Sequence, residues 1–491
     1  MSVLKKLAGE TAVYGLSSVL GRMINFVLVP FYTSELSRFS LGDYGIVTEL
    51  YAYVAFLNIL YVFGLETAYF RFSKKGDTQT FNTAFTSILL TSISLSGALW
   101  LFSEVIADTL QYPGKEYLIQ WLALILAVDA IVAIPFAKLR QDGEARKFAV
   151  FKLTNISVNI SLNLFFILFC PWFFDKHPDH VFASIYDPTL GVGYVFLSNL
   201  IANGLYFLFF LPLWKNVKLR ISPEQWKQMM KYAWPVLIIG FAGVTNEMLS
   251  RAILKYHLPV GFYDGYTNQE ILGIFGACYK LAVFMTLAIQ AFRYAFEPFL
   301  FAQAKEKNSP QVFSKVMTYF VLFTSFSWLV LSLFLPYYAP IFLRQSGYLF
   351  ALDAVPWLLG GGLFLGIFYN LSIWYKLTDN TIYGAIISII GALGTLVLNW
   401  MLIPLFGYMG SAYATLFTYL LMVLISFLWG RKHYPVPYEL GKVLTYVGLA
   451  SLGITANQFF EGSFILAAAI ALIFLTLAFL LEKKNLRSIN S

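Results

Sequence analysis

The sequence predicts an all-α polytopic membrane protein of about fourteen transmembrane helices, arranged as two six-helix lobes in parallel repeat around a central cavity, with two further C-terminal helices. Three observations predict it. Of 491 residues only 12% are charged, against 59% hydrophobic and 18% aromatic, where soluble domains carry about 25% charged residues. Apolar stretches of about 20 residues, long enough for a hydrocarbon layer of about 30 Å, recur from end to end with short polar breaks. The two halves of the chain also match one another in order.

The spans centre near residues 20, 55, 92, 127, 159, 200, 242, 285, 325, 363, 392, 419, 449 and 472. The first follows a basic tip, MSVLKKLAGE, and its apolar stretch runs on to Tyr32 without a small-residue cleavage pattern, so it reads as a retained span. Most of the 34 Lys and Arg residues fall in alternate loops, and the positive-inside bias puts both termini in the cytoplasm of a bacterial inner membrane. The formal net charge of +8 is therefore spread along the chain, and a basic nucleic-acid surface is excluded. The two cysteines, Cys170 and Cys278, lie in apolar stretches, which leaves neither a disulfide framework nor a cysteine-held metal.

No loop is long enough for an extramembrane catalytic domain. The longest outside loop is PWFFDKHPDHVFASIYDP; the cytoplasmic WKNVKLRISPEQWKQMMK marks the middle of the chain. There Ser222, Pro223 and Gln225 supply helix-start chemistry. The segment fits an amphipathic helix along the membrane interface or an N-terminal extension of span seven. The domains are accordingly residues 1–216 (N-lobe), 217–233 (interfacial linker helix), 234–433 (C-lobe) and 434–491 (two extra spans).

The repeat is read from ordered offsets. At 225, Gly15 falls on Gly240, Val19 on Val244, Arg22 on Glu247 and Met23 on Met248. At 228, Gly45-Ile46 falls on Gly273-Ile274 and Tyr51 on Tyr279; at 236, Arg140 falls on Lys376 and Leu162-Asn163 on Leu398-Asn399. Six spans is an even number, so both halves enter the membrane in the same direction, and a cavity is expected on the axis between them.

Charges inside a membrane are expensive and mark functional positions. Arg22 lies about 20 Å along span one, and Glu49 about 9 Å into the returning span two, hence at one depth. Glu247 and Lys280 are expected near one another in the second lobe. Deeper come Arg293 and Glu297, four residues apart before Pro298, and Glu66 with Arg71 at the matching end of span two. Lys280 and Arg293 are about 220° apart on a regular helix, so both face one cavity only if that helix bends or the cavity is wide. Asp129 stands alone at mid-depth of span four, and Arg251 lies near a span end. Pro356 and Gly360-Gly361-Gly362 in span ten offer either a hinge or close helix packing.

The segments GLETAYFRF (64–72), PFAKLRQDGEARKFA (135–149) and LGDYGIVTELYAY (41–53), with the span count, resemble polysaccharide flippases of the Wzx type in the multidrug/oligosaccharidyl-lipid/polysaccharide exporter superfamily. The resemblance implies lobes in a V and alternating access that carries an undecaprenyl-diphosphate-linked oligosaccharide outward. On that reading Arg22, Lys280, Arg293 and Arg251 are candidate diphosphate ligands, since guanidinium and ammonium groups replace phosphate hydration. Glu49, Glu66, Asp129, Glu247 and Glu297 balance them or couple ions. Tyr51, Tyr279, Tyr294, Asn25 and Asn370 are candidate sugar contacts, as are Trp357 and Tyr369.

Three function classes are open to such a chain. The favoured one is the flippase, without nucleotide hydrolysis, since no GxxxxGK[ST] loop occurs. The rival is a cation-coupled multidrug or metabolite antiporter of the same superfamily, whose cavity would be expected to be dominated by carboxylates. A membrane enzyme would need a polar loop that the chain lacks. No cofactor or metal is expected; H+ and Na+ are the candidate coupling ions. The expected partners are a lipid-linked oligosaccharide, membrane lipid and polysaccharide polymerase machinery, with no nucleic acid.

Overall fold

A computed structural model describes residues 26–489 apart from 75, 181–185, 304–305, 307, 379 and 461–462, and leaves the side chains of 294–295, 297–302 and 484–489 undescribed. The described chain is helical, with no strand. Its main helices are α1 (Leu41–Val62), α2 (Leu65–Phe72), α3 (Thr78–Leu101), α4 (Glu116–Gln141), α5 (Ala145–Leu164), α6 (Gly193–Phe209), α7 (Pro223–His257), α8 (Asn268–Leu281), α9 (Val283–Gln303), α10 (Ser309–Leu333), α11 (Val355–Leu371), α12 (Ile382–Phe406), α13 (Tyr408–His433), α14 (Leu440–Phe459) and α15 (Phe464–Ile489).

Among the described residues ten helical stretches are long and apolar enough to cross a membrane, or eleven if α8 and the first half of α9, bent by 40° at their break, form one span. The expected centres from 55 to 472 all fall within helices. Two of these lie outside that number: α6 has 17 residues, and α14 has 20 but is more polar. Most of the first expected span lies outside the described residues.

The chain divides into two compact units, residues 1–252 and 253–491. In the first, α1 and α2 are the halves of one span. They separate at Phe63 and Gly64, both in the left-handed region (φ +51° and +69°). Gly64 sits against α7, where a Cβ would lie 2.8 Å from the Ala233 carbonyl oxygen. Tyr61, Tyr69, Phe85, Leu126, Ile134 and Met229 pack into one core from α1, α2, α3, α4 and α7. Between membrane-spanning helices such packing gains close dispersion contacts rather than removal from water.

Helix α7 answers the question left at mid-chain, because Pro223–His257 is a single helix of 35 residues. Its first turns are thus an N-terminal extension of span seven. The capping box expected there does not close: Ser222 Oγ bonds Glu224 instead (3.2 Å), and the buried Gln225 Oε1 has no partner among the described residues.

In the second unit α11 packs against α9, α10 and α13. Its glycines are packing sites rather than a hinge, and the helix is continuous across them. A Cβ on Gly362 would lie 2.9 Å from Met285, one on Gly360 3.0 Å from Leu416, and one on Gly366 2.7 Å from the Phe320 ring. Helices α14 and α15 dock on α10. Lys442 Nζ bridges Glu439 (3.2 Å) and the buried Glu482 (2.9 Å), Tyr446 donates to Glu482 (2.7 Å), and Thr318 of α10 donates to Glu439 (3.1 Å).

The halves share devices. Helix α1 opens on a capping box of Ser40 and Asp43, and α8 on one of Thr267 and Glu270. Each satisfies orphan N–H groups of the first turn from both directions.

Candidate functional site

Polar side chains on otherwise apolar helices must find partners, and in the first unit they find each other in a column. Helix α6 presents Asn199 and Asn203, four residues apart and so on one face. Asn199 Nδ2 donates to the Tyr51 hydroxyl of α1 (2.9 Å), and the Tyr51 ring stacks on Phe196 at 5.3 Å. Asn203 Nδ2 donates to Asp129 Oδ1 of α4 (2.9 Å) and its Oδ1 accepts from Asn155 Nδ2 of α5 (3.0 Å). One turn before Asn155, Lys152 places its ammonium 4.3 Å from the centroid of Phe136 and 5.3 Å from that of Tyr206. It lies within electrostatic reach of Asp129, Glu66 and Arg140.

At the end of this column Arg140 pairs with Glu66, its guanidinium 4.7 Å over the Phe70 ring. Gln141 donates to the Ser73 carbonyl oxygen (2.7 Å). These contacts join the two quoted segments GLETAYFRF and PFAKLRQDGEARKFA. Arg71, beside them, stacks on Tyr232 at 4.6 Å.

Glu49 is fully buried and accepts hydrogen bonds from Tyr53 (3.2 Å) and from Tyr112. Its expected partner Arg22 lies outside the described residues, as does Asn25. Arg251 is 8% exposed, and its guanidinium bonds the Glu247 carbonyl oxygen one turn earlier (2.7 Å), while the Glu247 residue itself is exposed. Lys280 and Glu247 fall in different units.

In the second unit a small cleft is lined by Ile289, Phe292, Arg293, Tyr369, Ser372 and Lys376, among others. Arg293 stacks 4.9 Å over the Tyr369 ring. The bend between α8 and α9 separates Lys280 from Arg293, so the regular-helix angle between them does not apply. Tyr279 and Lys280 are half-buried. Asn370 is wholly buried, and neither amide atom finds a hydrogen-bond partner among the described residues. The side chains of Tyr294 and Glu297 lie outside the description. Trp357 packs edge-on against Tyr413 at 4.8 Å.

Sequence reasoning did not single out Lys152, Asn155, Asn199, Asn203 or Tyr112. The spacing of Asn199 and Asn203 in an apolar stretch was the available signal. Lys376 had been noted only as the repeat counterpart of Arg140, and it is the residue that shares the cleft with Arg293.

Residues 36–172, which contain all three quoted segments and Glu66, Asp129, Arg140 and Lys152, match the family described as polysaccharide biosynthesis protein. An uncharacterized membrane protein of Methanocaldococcus jannaschii is 24% identical over 447 residues, covering 86% of this chain and 83% of its own. Among solved structures, lipid II flippase MurJ in an inward closed conformation has a TM-score of 0.70 at 15% identity, covering 94% of this chain and 98% of its own. An inward-facing multidrug resistance MATE family transporter of the MOP superfamily has 0.62 at 13% identity, covering 84% and 94%. These likenesses agree in fold with the resemblance in the sequence: the chain has a fold similar to that of MurJ and of the MATE transporter, and over residues 36–172 it is similar to the family described as polysaccharide biosynthesis protein.

Proposed function

We propose that the protein is a flippase that carries undecaprenyl-diphosphate-linked oligosaccharide repeat units across a bacterial inner membrane by alternating access, for cell-surface polysaccharide synthesis. The observation that carries the reading is the cleft of Arg293, Lys376 and Tyr369, where two cations and an aromatic face line one opening. A diphosphate entering a poorly hydrated site needs cations in place of water, and a sugar favours an aromatic face. The family matched at residues 36–172 supports the same reading. Arg22, Lys280 and Arg251 are the further candidate phosphate ligands, and Glu49, Glu66, Asp129, Glu247 and Glu297 either balance these cations or carry coupling ions. Tyr51, Tyr279, Tyr294, Asn25 and Asn370 are the candidate sugar contacts. Both termini face the cytoplasm, and polymerase machinery receives the product.

The test is purified protein in proteoliposomes, assayed in parallel for movement of an undecaprenyl-diphosphate-linked oligosaccharide and for efflux of a cationic dye. Movement of the lipid-linked sugar alone is expected. Dye efflux alone would make the protein a cation exporter and overturn the assignment.

A further inference from the structure

Asp129 lies about 20 Å along α4 from Glu116, near the middle of a helix of 26 residues. An ionised carboxylate there needs a compensating charge. The groups bonded to it are neutral: Asn203 donates directly, and Asn155 stands behind Asn203.

The candidate for that charge is Lys152. It sits three residues before Asn155, on the same face of α5, and the Tyr206 ring beside its ammonium is three residues after Asn203 on α6. The amide chain and the ring-held ammonium are therefore consecutive turns of one column. Among the described residues the ammonium forms no hydrogen bond and no ion pair; the rings of Phe136 and Tyr206 hold it, and it acts on the Asp129 carboxylate from there.

The other charges of the column are already matched. Glu66 of α2 is paired with Arg140 of α4, the titratable groups named in the column from α1 and α6 are the hydroxyls of Tyr51 and Tyr206, and α3 has no charged residue. Two acids and two bases sum to zero, so an added alkali cation would leave the column with a net positive charge.

We propose that Lys152 is the resident counter-cation of Asp129, an ammonium tethered to α5 that occupies the role a sodium ion or a proton would fill beside a lone intramembrane carboxylate. This deepens the reading above by giving Asp129 the balancing role rather than ion coupling, and it takes no ion from solution in doing so.

The test reads stability, so its failure is distinct from failure of the flippase reading. Purified full-length protein is melted in NaCl or in N-methylglucamine chloride at equal ionic strength, at about pH 8 and pH 5.5. Wild type should melt at the same temperature in both salts. K152M should melt about 5 °C or more below wild type in N-methylglucamine at the higher pH. Sodium or acid should recover most of that deficit relative to wild type under the same condition, K152R should show little of it, and D129N/K152M should melt near wild type in either salt. A K152M that melts like wild type, or a deficit that sodium, acid and D129N all leave in place, overturns the proposal. So does a sodium-stabilised wild type whose response D129N abolishes. Should K152M fail to fold, the double variant decides: recovery supports the pairing, and continued failure overturns it.

Discussion

Asn163 and Asn399 share two kinds of hydrogen bond, each within its own unit: a donation one turn back and an acceptance from a hydroxyl. Asn163 Nδ2 donates to the Asn159 carbonyl oxygen four residues earlier (2.8 Å) and its Oδ1 accepts from the Tyr32 hydroxyl (2.7 Å). Asn399 Nδ2 donates to the Thr395 carbonyl oxygen (2.8 Å) and its Oδ1 accepts from the Ser411 hydroxyl (3.1 Å). Both are buried. The offset of 236 that pairs them in sequence thus has a counterpart in bonding.

Removing either amide leaves a hydroxyl without its acceptor. N163A and N399A should each destabilise the protein by about 1–3 kcal/mol. Thermal unfolding of the purified variants checks this, and the larger loss is expected for N163A, because Asn163 Nδ2 also donates to Asn159 Oδ1 (2.9 Å).

The Glu66–Arg140 pair is about one-third exposed on each side, so solvent weakens it to about 1 kcal/mol or less. The charge-swapped E66R/R140E should therefore recover more than half of what E66R alone loses. The guanidinium's contact with Phe70 is what the swap does not restore. Melting temperatures of the single and double variants measure the coupling.

Arg293 and Lys376 share a cleft. R293A and K376A should each lower translocation of the lipid-linked sugar by about tenfold or more, the loss expected when a charged phosphate contact goes. Unfolding temperatures should shift little, since both side chains line an opening. K376R should keep most activity, and a vesicle assay with a quantified protein load separates these outcomes.

At the docked hairpin, Lys442 is the shared cation of two carboxylates, one of them buried. K442M removes a cation that Glu439 and the buried Glu482 share and should destabilise the protein by about 1–3 kcal/mol. E482Q in the same chain should return much of that. Proteolysis near Phe459–Phe464, between α14 and α15, reports loosening of the hairpin.

The fold was legible because its signals are long and redundant. Each span is written by about twenty residues, so single errors do not move it, and helix positions from α1 to α15 follow the expected centres. The site was less legible. Asp129, Glu66 and Arg293 could be named because a charge in an apolar stretch is conspicuous, whereas Lys152 reads like the other basic residues after a cytoplasmic loop. Only its seat between Phe136 and Tyr206 shows that it points into the unit. Asn155 and Asn203 are similar: amides in apolar helices are common enough that only the bond between helices picks them out. The glycines of α11 carried two meanings in sequence, and the neighbours Met285 and Phe320 choose close packing. The bend named as a condition for Lys280 and Arg293 to share a face is present as the break at Ala282, which no proline or glycine announces.

The turn between α1 and α2 has a consequence for what the gene can tolerate. At Gly64 two independent barriers coincide, the left-handed backbone and the Ala233 oxygen 2.8 Å from any Cβ, and no side chain evades both. At Gly97 and Gly204 a Cβ would meet nothing within 4 Å. A pooled library of all substitutions, selected for folded protein, should hold position 64 to a single residue type while positions 97 and 204 drift. Gly64 would then serve as a fixed reference point for aligning sequences that otherwise share only an apolar pattern.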